Sequence, residues 1–243
     1  MRVLKIKNQA NETAELYISG DIVDDTDGGL IQEWRENTTG FEFPQKIKDE
    51  LKAVEDKELT IYINSYGGNV FAGVALANMI ARRKNKTICV VDGICASIAT
   101  QIFFCGDVCK IPANCYLMIH KPESFEIGNA DDFRKVADTL DIIQQGLETT
   151  YQKKAKEGVT TDKITELVNA ETWFTGQEVA EYFTVEVTEP LKIVNCVGSA
   201  EKLKQRGIKN IPDTLNFVKE PSNMAEQQLK IKAAIARAKG VLI

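Results

Sequence analysis

The only histidine of the chain, His120, follows the short apolar run Tyr116 to Ile119 and precedes a Lys-Pro pair. A residue in that place leaves a buried strand at its carboxyl end, where open α/β sheets hold their reacting groups. An imidazole there can accept and return a proton near neutral pH. A lone histidine is also a common structural residue, so the sequence leaves both roles open.

Ser97 closes the segment Gly93-Ile-Cys-Ala-Ser, at a predicted turn from a strand into a helix. Serine often caps a helix at such a turn without any catalytic role. The first turn of a helix also offers free N–H groups and the positive end of its dipole, which can stabilise an oxyanion. A serine hydroxyl needs a base to become nucleophilic, and His120 carries the only imidazole.

A glycine pair lies in Asn64-Ser-Tyr-Gly67-Gly68-Asn69, between a predicted strand and a predicted helix. Such glycines let the backbone approach a ligand closely and present its N–H groups. The Gly-Lys-Ser/Thr ending of a phosphate loop and the spacing of a dinucleotide fingerprint are both missing. The alternative interpretation is a tight turn that binds no ligand.

The elements that must position these residues alternate between strands and helices. We predict strands at 15–23, 60–64, 87–91, 108–111 and 116–119, and helices at 43–54, 70–83, 97–104, 131–156, 161–168 and 176–182. This alternation predicts a layered α/β domain with buried, largely parallel strands.

Three motifs in this order resemble the proteolytic subunit of the Clp protease, a serine peptidase family with a crotonase-like fold: Asn64-Ser-x-Gly-Gly, Gly93-x-x-Ala-Ser and Met118-Ile-His-x-Pro. The segment from Thr172 to Phe183 resembles the family segment that begins with its catalytic Asp. The resemblance covers roughly residues 15–190. It implies an α/β layered fold of repeated strand-strand-helix units.

By this resemblance, Ser97 attacks a peptide carbonyl and His120 takes its proton. The backbone N–H groups of Gly68 and Ile98 form the oxyanion hole. An extended substrate pairs with backbone near the second glycine and beyond the histidine; the residues implied are Gly67, Asn69, Val70 and Pro122. This acyl-enzyme chemistry requires no cofactor and no metal.

The sequence departs from the family pattern at the third catalytic position, which holds Thr172 in place of Asp. A threonine hydroxyl can accept the histidine N–H, but it brings no charge to favour the imidazolium. We therefore expect either a slow enzyme or an acid from elsewhere, for which Glu171 is the nearest candidate. Tyr66 stands where the family usually has Pro, and residues 34–43 form an insertion.

Composition limits the alternatives. The chain has 243 residues, 44% hydrophobic and 27% charged, with a formal net charge of −5 and a pI near 5.2. These values are typical of a globular protein and argue against an extended nucleic-acid-binding surface. Residues 88–106 carry one charge, Asp92, but their pattern favours a buried strand, turn and helix over a membrane span.

The N-terminal residues show no secretory signal, so we expect a cytoplasmic protein. Five of the six cysteines fall in the most apolar third of the chain. No Cys-x-x-Cys pair occurs and one histidine offers few nitrogen ligands, so we expect buried thiols rather than a zinc site.

We divide the chain into a peptidase domain at residues 1–190 and a basic, partly helical extension at residues 191–243. Residues 201–243 contain nine basic and four acidic residues, and 223–242 have the spacing of an amphipathic helix. The extension is interpreted either as an ordinary docking helix or as a segment that binds a partner.

The resemblance also implies a homo-oligomer in which seven-membered rings stack through the helix at 131–156, with a Clp-type ATPase as a candidate partner. The departures are similar to a phage and prophage branch whose peptidases cut capsid and scaffold proteins. Two other readings remain: a catalytically silent component of an assembly, and a crotonase-like enzyme acting on a thioester.

Overall fold

A largely parallel sheet carries the candidate site residues in the computed structural model, which describes residues 12–34, 40–190 and 210–211. Its strands are β1 (Thr13–Ile22), β2 (Phe41–Glu42), β3 (Glu58–Gly68), β4 (Thr87–Ala96), β5 (Val108–Pro112), β6 (Tyr116–Ile119), β7 (Thr172–Thr175) and β8 (Glu186–Thr188). The helices of the same ranges are α1 (Asp25–Trp34), α2 (Pro44–Lys52), α3 (Val70–Ala81), α4 (Ala99–Phe104), α5 (Ala130–Lys154), α6 (Thr161–Asn169) and α7 (Gly176–Tyr182).

The sheet has the order β2-β1-β3-β4-β5-β8, and β6 and β7 extend it beside the second half of β4. Every strand pair is parallel except β6 with β7. Residues 88–90 of β4 pair with β5, whereas residues 94–96 pair with β6. Gly93, at a φ of 158°, lies between the two halves and lets the strand change neighbours.

Residues of β1 and β3 alternate between buried and half-buried. This alternation indicates that one face of the sheet is packed against the core. The main core joins Leu16, Ile61 and Val91 from the central strands to Leu76 of α3 and Phe103 of α4. A smaller cluster of Ile94, Ala96 and Met118 forms separately, with Tyr66, Tyr116, Trp173 and Ile211 packed against it. The site residues lie where these two clusters meet, at the ends of β4 and β6.

The predicted α/β class is confirmed, and most predicted elements are present within a few residues. The predicted turn at Gly93 is different, since β4 continues to Ala96 and the helix begins only at Ala99. The helix α1 and the strands β2, β7 and β8 were not predicted. The amphipathic helix predicted at 223–242 lies outside the described residues. Of the predicted extension at 191–243, only residues 210 and 211 lie within them.

The cysteines of the described ranges are free thiols, and Cys89, Cys95, Cys109 and Cys115 are buried. Burial raises the pKa of Cys95 well above its ordinary value and that of Cys109 to about 12. These thiols behave as small core residues. None of the described helices is long and apolar enough to cross a bilayer.

A buried ion pair lies at the edge of the sheet, between Glu42 of β2 and Lys46 of α2, with Oε2 and Nζ 2.9 Å apart. Lys46 also donates a hydrogen bond to the carbonyl of Phe41 at 3.0 Å. Burial raises the pKa of Glu42 from 4.5 to about 7, although the Lys46 charge opposes that rise. Folding therefore takes up a proton at Glu42 between these two pH values.

We predict that Glu42→Gln reduces the loss of stability on raising the pH. The pKa of Glu42 is higher in the folded state than in the unfolded state. The stabilisation of the folded state by protonated Glu42 is therefore complete below pH 4.5 and is lost as the pH rises to about 7. The loss is about 3 kcal/mol in the native chain. Urea unfolding at about pH 5 and about pH 8 measures it. The exposed control Glu58→Gln should retain the native pH dependence. The prediction is contradicted if the free energy of unfolding changes between the two pH values by the same amount in Glu42→Gln and in the native chain.

Candidate active site

Ser97 occupies a strained turn between β4 and α4. Its φ is 56°, in the left-handed region that non-glycine residues rarely adopt. The turn is fixed on both sides, because the Ser97 N–H donates to the Met118 carbonyl at 2.9 Å and the Ser97 carbonyl accepts from the Thr100 N–H at 3.0 Å. Ile98, not Ser97, occupies the N-cap position of α4, and no side chain caps that helix. Ser97 is thus not the capping residue of this helix.

A hydrogen-bonded chain links this turn to the long helix α5. The Thr100 hydroxyl donates to the Ser97 carbonyl at 2.6 Å. The same oxygen lies 2.7 Å from the hydroxyl of Tyr151, which is fully buried. Since the Thr100 proton is directed to Ser97, Tyr151 is the donor of the second bond. The position of the turn is therefore set by α5 as well as by the sheet.

His120 contacts Ser97 directly, with Nε2 and Oγ 2.8 Å apart. The two residues follow paired strands: Ala96 is the register partner of Met118, so the chain ends beyond them stand side by side. Burial lowers the pKa of His120, while the charges of Glu123 and Glu171 act to raise it. A neutral imidazole next to a hydroxyl at this distance can serve as a general base.

The glycine pair lies against the same turn. Gly67 has a φ of 91°, and a Cβ there would stand 2.8 Å from the Cβ of Ser97 and 3.1 Å from the Ile98 nitrogen. Gly68 has a φ of 147°, and its Cβ would stand 2.0 Å from the Ile22 carbonyl oxygen. In the described part of the chain, nothing accepts a hydrogen bond from the Ile98 N–H. This donor is therefore available to an oxyanion.

The polar residues of the glycine motif connect neighbouring elements. Asn64 accepts from the Ile94 N–H at 3.3 Å, and the Ser65 hydroxyl donates to the Gly20 carbonyl at 2.6 Å. Asn69 is the N-cap of α3, and its side chain accepts from the Ala72 N–H at 3.0 Å. These bonds explain the spacing of the motif, because each polar residue fixes the backbone on one side of the two glycines.

Thr172 and Glu171 lie at the start of β7, beside the end of β6. Thr172 is the register partner of Ile119, the residue before the histidine. Its hydroxyl donates to the Leu167 carbonyl at 2.6 Å. Within the described ranges, the one side-chain hydrogen bond of His120 is the bond to Ser97. Glu171 adopts a φ of 52° and acts on His120 through its charge.

A cavity of about 390 Å³ opens in front of the pair. Its lining contains the predicted residues Gly68, Asn69, Val70, Ser97, His120 and Pro122. It also contains acidic residues that sequence reasoning missed, namely Asp21, Asp27 and Glu123. Glu123 follows Pro122 directly and could have been found from that loop, whereas Asp21, at the end of β1, and Asp27, in α1, lie in segments without a recognisable motif.

The arrangement has the parts needed for acyl transfer: a hydroxyl, a base in contact with it, and an available N–H beside a glycine backbone. Gly67 supports the turn from behind and does not line the cavity. In the described residues, no group of three or more His, Cys, Asp and Glu side chains could hold a metal ion. The acyl-transfer chemistry can be carried by the chain's own side chains and backbone.

Comparison with known proteins gives a consistent picture. The family model described as Clp protease matches residues 45–188. The chain is 30% identical over 139 residues to "ATP-dependent Clp protease proteolytic subunit 1" of Streptomyces coelicolor, covering 56% of this chain and 62% of that protein. It is 31% identical over 136 residues to proteolytic subunit 2 of Thermobifida fusca, covering 54% of this chain and 66% of the relative. The matched segment thus spans less than two thirds of these relatives.

We predict that Gly68→Ala destabilises the protein by about 1–3 kcal/mol, because the new Cβ meets a backbone carbonyl and the φ disfavours a side chain. Urea unfolding measures the loss. Gly146→Ala in α5 is the control, since nothing lies within 4 Å of its added Cβ. That variant should be as stable as the native chain or more stable. Equal stability of the two variants would contradict the prediction.

Proposed function

The chain belongs to the Clp protease family, as its motifs indicated, and on that premise we propose that it is a serine endopeptidase. The observation that carries the proposal is the 2.8 Å contact between Ser97 Oγ and His120 Nε2 inside a cavity. The activity, substrates and partners of the whole protein are all part of this proposal.

In the proposed mechanism, Ser97 Oγ attacks the carbonyl carbon of a peptide bond while His120 Nε2 takes the hydroxyl proton. The Ile98 and Gly68 N–H groups hold the negative oxygen of the tetrahedral intermediate. His120 then gives the proton to the leaving amine, and an acyl-enzyme forms at Ser97. Water then attacks the acyl-enzyme while His120 Nε2 takes one of its protons. His120 gives that proton to Ser97 Oγ, which releases the second product and restores the serine.

Two chain segments that contain predicted substrate-binding residues line the cavity. The lining includes Gly68, Asn69 and Val70 from the glycine segment, together with His120, Pro122 and Glu123 from the segment after β6. We propose that substrate pairs with these backbone segments as an added strand, in agreement with the expected roles of Asn69, Val70 and Pro122. Gly67 contributes by letting the backbone approach Ser97 rather than by contacting substrate.

The group that orients His120 remains part of the proposal. Thr172 donates its proton to Leu167, which leaves its oxygen lone pairs able to accept from the histidine Nδ1–H. Glu123 and Glu171 both act to raise the pKa of His120 against the effect of burial, and Glu171 adjoins Thr172, which carries no charge itself. We propose that Glu171 stabilises the imidazolium that forms during each proton transfer.

A silent assembly component is the second candidate, and the hydrogen bond from Thr172 to Leu167 favours it, because the usual acid of the triad is absent. A crotonase-like activity on thioesters has no observation of its own in its favour. The phage and prophage hypothesis, with capsid or scaffold proteins as substrates, rests on the departures of the sequence from the family pattern.

We predict that a fluorophosphonate probe labels Ser97. Ser97→Ala should abolish labelling, and His120→Ala should slow it by about 10²-fold or more because the hydroxyl loses its base. Labelling is followed by intact-protein mass spectrometry. Ser124→Ala, in the exposed loop beyond the cavity, is the matched control and should be labelled like the native chain. A folded native protein that takes up no probe would contradict the peptidase and support the silent component.

We also propose a homo-oligomer of stacked rings, and a Clp-type ATPase that delivers substrate, since the relatives are named as ATP-dependent. Support for the oligomer comes from α5, which leaves 69% of the apolar side chain of Ile142 exposed. Apolar side chains exposed along a long helix are typical of a surface that binds another subunit.

We predict that Ile142→Glu lowers the oligomer mass measured by light scattering, because the new charge would be buried without a partner in the interface. Ala137→Glu adds the same charge to an exposed position of α5 about 140° around the helix. It should leave the mass unchanged. The oligomer proposal fails if the native chain is a monomer at micromolar concentration.

A further inference from the structure

Residues 210 and 211 of the basic extension lie against the start of β7, next to the proposed catalytic pair. The Asn210 N–H donates to Glu171 Oε1 at 2.7 Å. Its side-chain Nδ2 donates to the Ala170 carbonyl at 3.3 Å. Two hydrogen bonds from one residue to consecutive residues hold Asn210 at this place.

Ile211 packs against the small cluster of Ile94, Ala96 and Met118. Ala96 immediately precedes Ser97, and the Met118 carbonyl accepts the hydrogen bond from the Ser97 N–H. The cluster is therefore the apolar support under the strand ends that carry the pair. Its buried residues are few, so one added isoleucine makes a large difference to its packing.

Glu171 is the residue that Asn210 contacts through its backbone N–H. Its φ of 52° is unfavourable for a residue with a side chain, and the surrounding contacts must hold it there. The hydrogen bond from Asn210 fixes one carboxylate oxygen. Other charged groups near His120 are Glu123, in the loop that follows it, and Asp21 and Asp27, which line the cavity.

We propose that Asn210 and Ile211 are positioning residues for the Ser97–His120 pair: Asn210 holds the Glu171 carboxylate beside the imidazole, and Ile211 completes the apolar support of Ala96 and Met118. This inference rests on the proposed function in assigning Ser97 and His120 to catalysis. Neither residue lines the cavity, so neither is expected to contact substrate. Asn210 and Ile211 thereby have a defined task within their own chain.

The first experiment measures the imidazole titration by NMR, which is unambiguous because the chain contains one histidine. The Glu171 charge raises the pKa of His120, so a variant that releases Glu171 should lower it. Asn210→Pro removes the N–H donor, and Asn210→Ala is the matched control that keeps it. We expect a lower pKa in Asn210→Pro and a near-native value in Asn210→Ala.

Glu171→Gln tests whether Asn210 acts on His120 through the Glu171 carboxylate. It should lower the pKa of His120 by itself, and adding Asn210→Pro to it should produce no further shift. An equal shift from Asn210→Pro in the presence and absence of the Glu171 carboxylate would overturn the role of Asn210. A native titration in Asn210→Pro would overturn it too.

The second experiment separates kcat from KM with a fluorogenic peptide. We expect Ile211→Ser to lower kcat by about 10- to 100-fold and to leave KM close to native, because the reacting groups shift while the cavity stays intact. Ile211→Leu keeps an apolar side chain and should recover most of kcat. Native kcat in Ile211→Ser, or a change confined to KM, would overturn the role of Ile211.

The two failures are distinguishable. If the native protein neither cleaves peptides nor accepts the fluorophosphonate probe, the proposed function fails. The titration of His120 still shows in that case whether Asn210 acts on Glu171. Circular dichroism and urea unfolding of each variant verify that it is folded before either measurement is interpreted.

Discussion

The contact between Ser97 and His120 depends on the parallel pairing of the end of β4 with β6. The two residues are 23 positions apart in sequence, and they come together because Ala96, one residue before Ser97, and Met118, two residues before His120, are register partners. A shift of one residue would turn one of the two side chains to the other face of the sheet. The pairing in turn requires Gly93, whose backbone conformation lets β4 leave β5 and continue beside β6. The site is thus a property of strand register more than of any single loop.

Periodicity predicted most of the fold, because the buried strands and apolar helices carry strong local signals. The helix at Gly176–Tyr182 was predicted to the residue, and the confirmed α/β class followed from the alternation of elements. The end of β4 was missed because glycine usually marks a turn, whereas here pairing with β6 overrides that tendency. The strand β7 was missed because its four residues are ordered by the antiparallel partner rather than by their own pattern.

The motifs predicted the pair and the glycine loop, since each of them is contained in a few consecutive residues. The orienting group could not be predicted in the same way. Thr172 stands at the third catalytic position by its resemblance to the family segment, but its hydroxyl bonds to Leu167, a partner that only the packing of α6 against β7 supplies. Asn210 was equally invisible, because no local signal marks a residue that acts on a carboxylate 39 positions earlier in the chain.

The rate at which the buried cysteines are alkylated can report local opening of the sheet. Alkylating reagents attack thiolates, and burial holds Cys95 and Cys109 as neutral thiols far from solvent. Cys95 belongs to the strand end that leads to Ser97, whereas Cys105 is partly exposed. The rate at which Cys95 is modified, relative to Cys105, therefore reports how often this strand end separates from its neighbours while the rest of the protein stays folded.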